Sequence, residues 1–182
     1  VYTHLGVSDG WFGKAYAVSI IGRLLSRADF IAESADMIRR IPKKRLHNWD
    51  GVDVMSGVSG GVLTTTAVQQ TTQSQNLEEI IELLGDKLLS LQREEAAHNV
   101  WRSDGFNKPV TGVAHGMTGI GYALEKTHAV TQHNRFRDKR NDAYNFAQNN
   151  YDETTLNWKD VREHTSTTHR PDAWCYGRSG IT

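Results

Sequence analysis

Apolar residues in this chain recur at helical spacing in three long stretches. Leu77, Ile80, Ile81, Leu84, Leu88 and Leu91 fall on one face of a helix whose other face carries Glu and Lys. Asn76-Leu77-Glu78-Glu79 precedes that run in the form of a capping box. Arg27 to Arg40 reads as a second such helix. Arg135 to Tyr151 reads as a third, with Phe136, Ala143, Tyr144, Ala147 and Tyr151 on one side. Between these charged helices lie runs of small and apolar residues, Ala15 to Leu25, Gly61 to Val68 and Ile120 to Leu124. Each of these follows a Gly-x-x-Gly step. Four steps occur, starting at Gly10, Gly57, Gly116 and Gly177, and the last two intervals nearly agree. Glycine is poor inside helices but suits a tight corner and close backbone packing, so each step predicts a loop-to-helix corner. Pro42, Pro109 and Pro171 all lie between the helical stretches, and period-2 alternation is nearly absent. The pattern predicts an all-α repeat in which a glycine-led inner helix pairs with a charged outer helix, closed or stacked.

Composition narrows this further. The chain has 182 residues, with 21 Lys plus Arg against 21 Asp plus Glu and a net charge of zero. That argues against a dedicated nucleic-acid binder, which shows a basic excess. A hydrophobic fraction of 38% suffices for a core. No apolar run approaches the ~18 to 20 residues of a membrane helix. The only cysteine, Cys175, excludes an internal disulfide framework, and no Asn-x-Ser/Thr sequon occurs. A reducing, cytoplasmic setting is expected. The chain begins at Val1 without a Met and stops at Thr182 just after a glycine motif, which reads as a fragment.

The candidate chemistry sits at the glycine corners. Cys175, in Ala173-Trp174-Cys175-Tyr176-Gly177, is either a buried small hydrophobe or a thiolate donor for zinc, and its place ahead of a helix favours thiolate. His115, in Val113-Ala114-His115-Gly116, holds a matching place at its own corner, with a satisfied core histidine as the plain alternative. Asp53, ahead of Gly57, is a functional carboxylate or a simple turn residue. Arg39, Arg40, Lys43, Lys44 and Arg45 around Pro42 read as a solvated corner. His164 and His169 are loop histidines that can ligate metal, and Trp158 reads as a packing anchor. No phosphate loop, Rossmann glycine set, serine elbow or His-Glu-x-x-His helix occurs.

Taken in order, Asp53-Val54-Met55-Ser56-Gly57-Val58-Ser59-Gly60, Gly112-Val113-Ala114-His115-Gly116-Met117-Thr118-Gly119-Ile120 and Trp174-Cys175-Tyr176-Gly177 resemble the lanthionine synthetase C-like family of lanthipeptide cyclases over essentially the whole chain. The resemblance implies an all-α fold, an α/α toroid with glycine-rich corner loops, here incomplete, and residues 1–182 as one partial cyclase domain. It implies a zinc ion held by two Cys and one His with an open fourth position. Cys175 matches the first cysteine, and the other ligands are expected beyond Thr182. His115 and Asp53 match the family's catalytic histidine and aspartate. Arg170 and Tyr176 are further candidate site residues. The stretch Asn157-Trp158-Lys159-Asp160-Val161-Arg162 looks like the class II enzymes, in which an N-terminal dehydratase domain precedes the cyclase. Tyr176 looks more like class I.

The implied reaction is zinc-assisted addition of a cysteine thiolate to dehydroalanine or dehydrobutyrine. The partner is a dehydrated leader-core precursor peptide, met in the cytoplasm or beside a membrane export complex. The competing readings are a non-catalytic thiol- or peptide-binding toroid and a toroid glycosidase or zinc-dependent prenyltransferase. A glycosidase needs two carboxylates at the cavity mouth, where Asp53 is the one candidate. On this reading Asp53, His115 and Cys175 converge on one cavity mouth, and the 182 residues alone bind zinc weakly without turnover.

Overall fold

A computed structural model describes residues 4–72, 77–95, 98–159, 161 and 172–181. The elements, in order, are α1 (Trp11–Leu24), α2 (Ala28–Arg39), α3 (Lys43–His47), α4 (Val58–Thr72), α5 (Glu78–Ser90), β1 (Arg93–Glu95), β2 (His98–Val100), α6 (Met117–Thr131), α7 (Asn134–Asn149), β3 (Tyr151–Asp152), β4 (Asn157–Trp158) and α8 (Arg178–Ile181). The architecture is all-α, an arc of an α/α toroid. Helices α1, α4 and α6 stand side by side as the inner layer. Behind them, α2 packs on α1 and α4, α5 on α4 and α6, and α7 on α6.

The charged outer helices form where their apolar period predicts. In α5, Ile80, Ile81, Leu84 and Leu88 are buried while Glu78 and Glu79 face solvent. Burying each such leucine or isoleucine stabilises the fold by about 1.5 to 3 kcal/mol. Helix α4 is buried on nearly every side, including Thr64, Thr65 and Thr66. Thr65 and Thr66 donate their hydroxyls to the carbonyls of Gly61 and Val62 at 2.7 and 2.9 Å, so the buried oxygens keep partners.

The inner helices begin earlier than the apolar runs suggest, at the residue after the first glycine of each step. Their first N–H groups are satisfied by the corner's own backbone. Trp11, Val58 and Met117 donate to the carbonyls of His4, Gly51 and Val110, each seven residues back, at 3.0, 2.8 and 2.8 Å. A capping side chain is therefore unnecessary, and α1 and α6 have none. The second glycine of each step is forced by close approach. A Cβ on Gly13, Gly60, Gly119 or Gly180 would overlap the carbonyl oxygen of Val7, Val54, Val113 or Trp174.

Other departures have local causes. Among the described residues two short antiparallel strand pairs occur, β1 with β2 and β3 with β4, too brief to leave an alternating pattern. Tyr151 does not extend α7; it pairs with Trp158 across the second hairpin, their rings edge to face at 4.9 Å. The basic corner after Pro42 forms α3, pinned by the fully buried Leu46. Asn76, the expected cap of α5, lies outside the described residues. Among the described residues no helix is long and apolar enough to cross a membrane.

Candidate active site

The four corners stack along one rim through backbone hydrogen bonds. Val7 N–H donates to the Met55 carbonyl at 2.8 Å, Val54 N–H to Ala114 at 3.0 Å, and Ala114 N–H to Cys175 at 3.0 Å. Met55, Ala114 and Cys175 hold the same place, two residues before the first glycine of their steps. Cys175 and His115 are thus not at equivalent positions, contrary to expectation. Ala114 is the counterpart of Cys175, and Tyr176 is the counterpart of His115. What brings them together is the stacking of neighbouring corners.

Asp53 opens the second corner. One carboxylate oxygen accepts the N–H groups of Ser56 at 2.7 Å and Gly57 at 3.1 Å, which fixes the turn. Its other oxygen lies 2.7 Å from His115 Nδ1. The Asp53 side chain is 9% exposed and that of His115 is 41%, so the carboxylate is held inside while the imidazole reaches the surface. An ionised carboxylate only accepts, so Nδ1 carries the proton and Nε2 is left as the acceptor.

His115, Cys175, Tyr176 and Val161 line one pocket of about 30 Å³, together with Phe106, Val110, Thr111 and Gly112. Cys175 is a free, partly buried thiol. At the base of its corner, Asp172 accepts the Ser179 N–H at 2.9 Å and the Arg178 guanidinium at 3.1 Å. These hold the Asp172 carboxyl below its ordinary range, the Ser179 N–H contributing most.

Sequence reasoning missed the loop that walls this pocket. Trp101 is fully buried and donates its indole N–H to the Leu88 carbonyl at 2.7 Å. Ser103 donates its hydroxyl to the His115 carbonyl at 2.5 Å. Gly105 turns the chain with φ +82, where residues with a side chain are strained, and Phe106 N–H returns to the Ser103 carbonyl at 3.2 Å. The Phe106 ring then stands 5.8 Å from the His115 ring. The one signal available was Asp104-Gly105, a turn pair before a lone aromatic residue.

Arg170, His164 and His169 lie outside the described residues. Trp158 is partly buried, and its indole nitrogen has no partner among the described residues. Among those residues, no three His, Cys, Asp or Glu side chains gather as a metal-holding group.

A family model described as lanthionine synthetase C-like protein matches residues 2–182. No curated protein matches the chain. With the repeat of glycine corners, the two-layered helical arc and a match over nearly every residue, the chain belongs to the lanthionine synthetase C-like family.

Proposed function

We propose that this chain is a lanthipeptide cyclase domain that closes thioether rings in a dehydrated precursor peptide. The observation that carries the reading is the Asp53–His115 pair at 2.7 Å, opening on a pocket that Cys175 also lines. His115 Nε2 takes the proton of a substrate cysteine. The sulfur then forms a bond to the β-carbon of dehydroalanine or dehydrobutyrine, and the π pair moves toward the neighbouring carbonyl as an enolate. His115 returns the proton to the α-carbon. The sum is addition of S–H across C=C, with no change in mass and His115 restored. Asp53 keeps the imidazole in the tautomer that presents Nε2, and its charge favours the transient imidazolium.

Zinc belongs to this proposal through Cys175 as one donor. The described residues gather no second and third donor beside it, short of the three protein ligands usual for a catalytic site. The steps above therefore rest on this chain's own residues. A bound zinc would supply a substrate sulfur already held as thiolate. The class II setting, with a dehydratase domain in the same protein, is part of the proposal and rests on the Asn157 to Arg162 stretch. A glycosidase reading gains no support, because among the described residues the pocket lining contains no carboxylate and Asp53 stands beside it as a single one.

The test mixes the protein carrying this sequence with a dehydrated precursor and counts alkylatable thiols by mass spectrometry. Ring closure removes thiols at constant mass. Thiols that persist at the uncatalysed rate would overturn the reading.

A further inference from the structure

We infer that Phe106 is a specificity-determining residue, the wall that fits the pocket beside His115 to a terminal methylene and thereby favours dehydroalanine over dehydrobutyrine as the acceptor. The inference rests on the proposed cyclase activity. It starts from how firmly the loop before the third corner is held. Trp101 anchors its start in the core through the Leu88 carbonyl, and Ser103 ties it to the backbone of His115 itself. The left-handed turn at Gly105 then delivers Phe106. Its ring faces the imidazole at 5.8 Å with the planes tilted by 39°. With its backbone fixed in this way, Phe106 stands beside the imidazole as one wall of the pocket.

The space that remains is small. The pocket between Phe106, Val110, His115, Cys175 and Tyr176 has a volume of about 30 Å³, room for no more than a few small groups. Attack occurs at the β-carbon of the acceptor, so that carbon must come within reach of the pocket that holds the base. In dehydroalanine the β-carbon ends in hydrogens. In dehydrobutyrine it bears a methyl group, which must fit in the same space or push Phe106 aside. A fixed pocket discriminates one such carbon by about 10- to 200-fold at most. The methyl also slows thiolate attack at the β-carbon in free solution, so the contribution of the pocket is the preference that remains beyond the uncatalysed ratio.

The experiment presents two peptides together in one tube, alike except that one carries dehydroalanine and the other dehydrobutyrine at the same spacing from a single cysteine. The readout is the ratio of their initial rates of thiol loss, corrected for the uncatalysed ratio. The amount of folded protein cancels from this ratio, so a variant that is partly unfolded still reports. Wild type should favour dehydroalanine, and Phe106→Ala should move the ratio about tenfold toward dehydrobutyrine. Phe106→Leu, which keeps an apolar residue in the loop, should move it part of the way, and Phe106→Tyr should leave it near wild type. A wild type that closes rings without favouring dehydroalanine, or a Phe106→Ala ratio that stays at the wild-type value, overturns this inference alone. A wild type that closes neither ring overturns the cyclase reading and this inference with it.

Discussion

Single residues divide the work at the corner rim, and their substitutions should separate it. Asp53 has two tasks, since one oxygen holds its own turn and the other orients His115. Asp53→Asn keeps an acceptor for the Ser56 and Gly57 N–H groups but loses the charge that fixes the imidazole. Folding should survive while the ring-closure rate falls. His115→Ala removes the proposed proton carrier and should cost about 10² to 10⁴ in rate, measured as thiol loss. Cys175→Ala should act differently, lowering the zinc retained after dialysis against zinc-free buffer, whereas His115→Ala should leave that content unchanged. Equal zinc loss in both variants would mean that His115 is a ligand and not the base. On their residue types alone, Asp53, His115 and Cys175 each kept a plain structural alternative, and it was the family resemblance that singled them out as site candidates. Their convergence on one rim was expected, and the structure brings Asp53 to His115 at 2.7 Å and His115 to the same pocket as Cys175; the order in which the corners stack was not legible. Phe106 left no periodic signal at all.

At the scale of elements, the outer helices were readable from their apolar period and the inner ones only as tendencies. The inner helices start ahead of their apolar runs, one residue after the first glycine of each step, for one physical reason. The sequence signals for a start are capping side chains, and here backbone carbonyls seven residues back do that work. The same corner geometry makes a sharp mutational prediction. Gly119→Ala introduces a Cβ that overlaps the Val113 carbonyl oxygen and also meets the Val54 side chain of the neighbouring corner at 2.7 Å. Alanine is the better helix former in an open site. Here the overlap should dominate, because one obstruction is backbone and the corner must shift to relieve it. The expected result is a loss of about 1 to 3 kcal/mol in urea unfolding. The third corner carries His115, so activity of the folded fraction should fall as well. A Gly119→Ala protein as stable as wild type would mean that the corner is looser than its backbone contacts imply.

For the whole molecule, cohesion comes from neighbouring units covering one another, and the polar ties between outer helices report on it under acid. Arg135 of α7 reaches Asp86 and Glu82 of α5 at 2.9 and 2.6 Å, and His133 lies 2.9 Å from the same Glu82. The Arg135 hydrogen bond is the main reason that the Glu82 carboxyl sits below its ordinary 4.5. Asp172 is held below 3.8 at the fourth corner, first by the Ser179 N–H and then by Arg178. A carboxylate lowered by folding binds fewer protons in the native state than in the unfolded chain. Its contribution is complete above the unfolded value and disappears as pH falls through the native one. Stability attributable to Glu82 and Asp172 should thus be flat from neutral pH down to about 5 and then decline through the ordinary carboxylate range and below it. Both carboxylates are solvent-accessible, so their ties are screened by water and weaken further in high salt. Urea midpoints measured from pH 7 to pH 3 should follow this course, and Arg135→Ala should flatten the decline by removing the partner that lowers Glu82. An Arg135→Ala protein whose midpoint falls with pH as steeply as wild type would assign the acid sensitivity to other carboxylates. The tie between α5 and α7 would then be a surface contact without consequence for the arc.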